Sequence, residues 1–71
     1  MEKLFNPKIR EQAIDTTCSN FIMAGILEAK DIVPFLKQAG KWSDTELAEM
    51  LCESRLMLDN YFERRVSQCQ N

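Results

Sequence analysis

Histidine is missing altogether from the 71 residues. That removes the commonest general base, the usual partner of a nucleophilic cysteine or serine, and the commonest metal ligand. Glycine and proline occur twice each, too little turn chemistry for a fold of many short strands. Gly25 and Gly40 stand too far apart to form a glycine-rich phosphate loop. No stretch approaches the ~20 apolar residues of a membrane span, and no apolar signal-peptide run opens the chain. Basic residues are in no excess: nine stand against eleven acidic ones, for a net charge of −2. Non-specific nucleic-acid binding therefore lacks its usual electrostatic drive.

Cysteine is scarce and unpatterned. Cys18, Cys52 and Cys69 are odd in number and widely spaced, which argues against a disulfide framework. Three thiols also fall short of a four-ligand zinc site. Carboxylate pairs such as Glu49/Glu53 and Asp59/Glu63 stand four residues apart on a face with no apolar enclosure to shift a pKa. These absences predict a cytoplasmic, non-enzymatic protein without catalytic residues, metal or cofactor, and with no membrane partner.

What is present is helical punctuation, and it predicts an all-α single domain over 1–71. Asn6-Pro7 supplies a cap and a first-turn proline. Ile9, Ala13, Ile14, Thr17, Cys18, Phe21 and Ile22 then recur at helical spacing, and Gly25 offers a left-handed stop. The first helix is expected at about 7–24. Ile26 and Leu27 are apolar for a loop and should tuck inward. Asp31 is the expected cap of a short second helix over 32–39, with Pro34 tolerated in its first turn, Ile32, Val33, Phe35, Leu36 and Ala39 as its buried side, and Gly40 ending it.

Ser43 and Glu46 form a capping box, and Trp42 with Leu47 is spaced as a hydrophobic staple. With no breaker beyond them, a third helix is expected from about 44 to 68, a rod of ~37 Å. A compact chain of this length has a radius of gyration of ~11 Å, so two shorter helices cannot cover such a rod. Its apolar residues fall into two seams: Leu47, Leu51, Leu58, Phe62 and Cys69 in one, Met50, Met57 and Tyr61 in the other, with Ser54 between. Either both seams are core, or one packs on the rest of the chain and the other meets a partner. The second reading predicts a helical dimer or hairpin-like adaptor that binds a second copy or a target protein through Met50, Met57, Leu58, Tyr61 and Phe62.

Two resemblances bear on function. Asp44-Thr45-Glu46-Leu47-Ala48, followed by Cys52-Glu53 and Ser54-Arg55, resembles the opening of a bacterial helix-turn-helix. It implies a DNA-binding regulator built from helices 44–51 and 54–66. Cys52 replaces the usual turn glycine, and Glu53 stands where a buried aliphatic is expected, a costly place for a lone carboxylate. Ser19-Asn20-Phe21-Ile22-Met23-Ala24-Gly25, Lys30-Asp31-Ile32 and a long last helix resemble the small enterobacterial AriR/YmgB regulators. Ser43-Asp44-Thr45-Glu46-Leu47-Ala48 with Arg55-Leu56 is similar to the Hha pattern. These imply an all-helical dimer that modulates transcription, biofilm or stress responses through protein contacts. A small phage- or virulence-encoded inhibitor or chaperone, binding helix-in-groove, is a third expectation.

Overall fold

The computed structural model describes residues 5–69, with side chains as far as Arg65. Three α-helices are present and, among the described residues, no strand: α1 Pro7–Met23, α2 Ile32–Ala39 and α3 Asp44–Cys69. The caps act as their residue types dictate. Asn6 Oδ1 accepts the Ile9 amide at 2.8 Å. Ser43 Oγ accepts the Glu46 amide at 3.1 Å while Glu46 Oε1 accepts the Ser43 amide at 3.3 Å. Gly25 takes a φ of 78°. Around it the Ile26 amide returns to the Phe21 carbonyl and the Gly25 amide to that of Ile22, closing α1 in a Schellman motif.

The second start differs from expectation. A 3-10 turn at Ala29–Asp31 leads straight into α2. Asp31 does not cap that helix; its Oδ2 turns back to accept the Glu28 amide at 3.1 Å. Ile26 is half exposed rather than tucked in, because the motif that closes α1 commits its backbone and leaves its side chain outside. Ile9, Ile22, Val33 and Leu36 likewise stand exposed at the margins of their helices.

α1 packs chiefly on α3, and the two run parallel rather than as a hairpin. Arg10 meets Asp44, Asn20 meets Ser54, and Gly25 lies beside Tyr61, so position rises together along both helices. The segment 24–43, with α2 in its middle, carries the chain back to the starting end, which a tight hairpin connection would not do. Small residues let the pair approach: Ala13 and Thr17 on α1 and Ser54 on α3 are buried, with Phe21, Leu47 and Leu58 filling around them. Thr17 donates to its own helix at Ala13 O, and Ser54 donates to Leu51 O while accepting from Asn20 Nδ2 at 3.2 Å. Among the described residues, no buried side-chain polar atom lacks a partner.

One flank of the pair is closed by α2. Phe35 stands edge-on to Phe21, with centroids 6.0 Å apart, and to Trp42 at 5.6 Å. Cys18 is buried on that side, and its thiol pKa is raised, first by burial and then by Asp15. The result is elongated, with extents of 52 × 27 × 16 Å and a radius of gyration of 13.9 Å. Its accessible surface is 5612 Å², against ~4,600 Å² for a compact monomer of this mass.

Candidate functional site

The helical phase of α3 decides what is free to bind. At 100° per residue, the direction toward α1 passes through Ser54, flanked closely by Leu47, Leu58 and Tyr61. The contact line therefore falls between the two expected seams and uses part of each. Neither seam is free as a whole.

The five expected binding residues are divided by this geometry. Leu58 is 8% exposed and belongs to the core, so it is withdrawn from the binding face. Met50 and Tyr61 are half-buried. Met57 is 38% exposed on the α2 side, where it lines a shallow recess with Ala24, Ile26, Tyr61 and Arg64. Phe62 is 46% exposed on the opposite side, with its ring edge-on to Tyr61 at 5.9 Å. Cys69, assigned to the first seam, lies outside the described side chains.

The flank opposite α2 has no covering element among the described residues. There an open groove of about 540 Å³ runs between α1 and α3, lined by Thr16, Asn20, Leu51, Cys52, Arg55 and Leu56. By helical phase, Ile9, Gln12 and Met23 of α1 and Ala48, Asp59 and Phe62 of α3 extend the same flank. Leu56, at its outer edge, is 64% exposed. The groove lining itself holds a single charged side chain, Arg55, while by helical phase Asp59 and Glu63 lie along the same flank of α3. Depletion of charge around apolar and small polar residues is the composition of an interface centre. Among the described residues the ion pairs are Arg10–Asp44 and Lys30–Glu28, so neither Arg55 nor Asp59 belongs to one.

Sequence reasoning missed Arg10, which locks the end of the molecule where α3 begins. Its Nη1 donates to Asp44 Oδ1 at 2.7 Å, and its Nη2 donates to the carbonyls of Trp42 and, at 3.4 Å, Ala39. Asp44 Oδ2 also accepts the Phe5 amide at 3.3 Å. One guanidinium thus ties α1, the end of α2 and the start of α3. Nothing local in the sequence marks it, because its partners lie 29 to 34 positions away.

α3 continues through Cys52, Glu53 and Ser54, as the in-phase apolar pattern predicts. The turn required between helices 44–51 and 54–66 is absent, and Ser54 is buried against α1. The helix-turn-helix geometry is corrected accordingly: residues 54–66 do not form a separate recognition helix. Among the described residues no three His, Cys, Asp or Glu side chains stand together as metal ligands, and no helix is long and apolar enough to cross a membrane. Comparison of the chain with family models, curated proteins and solved structures found no match.

Proposed function

We propose that this is a non-enzymatic regulatory or adaptor protein that acts through protein–protein contacts on the uncovered flank of the α1–α3 pair. The observation that carries the reading is the one-sided cover: α2 closes one flank and leaves along the other an open groove whose lining holds one charged side chain, Arg55. Burying such a surface drives association without demanding new ion pairs in its middle. The partner face of α3 is thus Leu51, Arg55 and Phe62, not the whole set Met50, Met57, Leu58, Tyr61 and Phe62. The resemblance to the AriR/YmgB and Hha patterns supports a regulatory setting, in transcription or in stress and biofilm responses, within the cytoplasm.

A photo-crosslinking side chain placed at position 16, in the groove, and separately at position 33, on exposed α2, tests the reading in cells that express the chain. Position 16 is expected to give a discrete protein adduct and position 33 none. Adducts at position 33 alone, or at neither position, would contradict it.

A further inference from the structure

The uncovered flank has the features of a surface made to meet itself. A two-fold interface must be self-complementary, because each patch meets its own copy. Arg55 and Asp59 have opposite charges, stand one turn apart on α3 and are in no ion pair among the described residues. Reversing a second α3 about a point midway between them sets each arginine opposite an aspartate, twice over. The same reversal carries position 62 toward position 52. α1 ends at Met23, beside the turn of α3 that precedes Tyr61, so Phe62 and the backbone beyond it project past the helix pair. In the reversed copy that projection lies along the groove bounded by Leu51, Cys52 and Thr16.

We infer that the occupant of this flank is a second copy of the chain, docked antiparallel about a two-fold axis. Arg55 of each protomer meets the partner's Asp59, and Phe62 enters the partner's groove. The inference rests on the partner-binding reading above and specifies its partner.

Charge reversal with mixing provides the test. Arg55→Asp faces two acidic groups against two, and Asp59→Arg faces two basic groups against two, so each variant alone should dimerise at least about tenfold more weakly than the parent. Mixed in equal amounts, the two variants restore both pairs, and light scattering should recover a species of twice 8.3 kDa. Circular dichroism on each variant checks that the helices remain. A wild-type chain that stays at 8.3 kDa, or single variants that dimerise as well as the mixture, overturns the inference. Phe62→Asp separates this from failure of the wider reading. If the chain dimerises and Phe62→Asp abolishes it while the charge variants do not, the flank is the interface and the antiparallel pairing is wrong. If Phe62→Asp leaves a wild-type dimer intact, both the pairing and the flank are wrong.

Discussion

Arg10 shows how much of this small fold depends on one side chain. Its guanidinium is part-buried and satisfies a carboxylate and the Trp42 carbonyl at a junction of three helices, with Ala39 O in reach. Charge-assisted hydrogen bonds of this kind contribute about 2 kcal/mol in sum where solvent still reaches them. Arg10→Ala is therefore expected to lower unfolding stability by about that amount in a urea melt. Salt at molar strength should narrow the gap between variant and parent, because the Arg10–Asp44 pair is about one-fifth exposed. An unchanged melt would show that the junction holds without it. Ser54 is the complementary case. A serine between two apolar seams looks from sequence like a break in the pattern, yet it is fully buried against α1 and bonded to Asn20, where a larger side chain would hold α1 away.

At the scale of elements, the legible features are those whose physics is local. Asn6, Gly25 and the Ser43/Glu46 box each work through backbone groups within a few residues, so spacing alone locates them. The bounds of α1 and α3 follow from that punctuation to within a residue at each end. The role of Asp31 is not legible from spacing, because a 3-10 turn and an α-helix use the same capping residues, and here the turn claims it. The parallel course of α1 and α3 was not legible, since it depends on how segment 24–43 returns the chain. Nor was the division of the five residues expected to bind, because amphipathic pattern gives the width of an apolar arc and not its midpoint. Ser43→Ala removes one half of the box and is expected to cost about 1 kcal/mol. Thermal melts that coincide with the parent's would place the functional start of α3 elsewhere.

For the molecule as a whole, the buried apolar set among the described residues is short: Ala13, Cys18, Phe21, Ala39, Leu47 and Leu58. Two of the six are alanines. Chains of this size often draw added stability from a metal, disulfides or association. Cys18 is buried and unpaired, Cys52 is exposed and unpaired, and the described residues gather no metal cluster. On the proposal above, association through the uncovered flank would supply apolar burial that α2 alone does not, and would join stability to function in one surface. On this account the α1–α3 pair is half of a larger core.

Backbone amide shifts followed through a dilution series test that claim most directly, since they report residue by residue which face is covered. The account predicts concentration-dependent shifts at Thr16, Asn20, Leu51, Arg55 and Phe62, with Val33, Phe35 and Trp42 constant. Shifts confined to the α2 side, or none at any concentration together with a mass of 8.3 kDa, would contradict it.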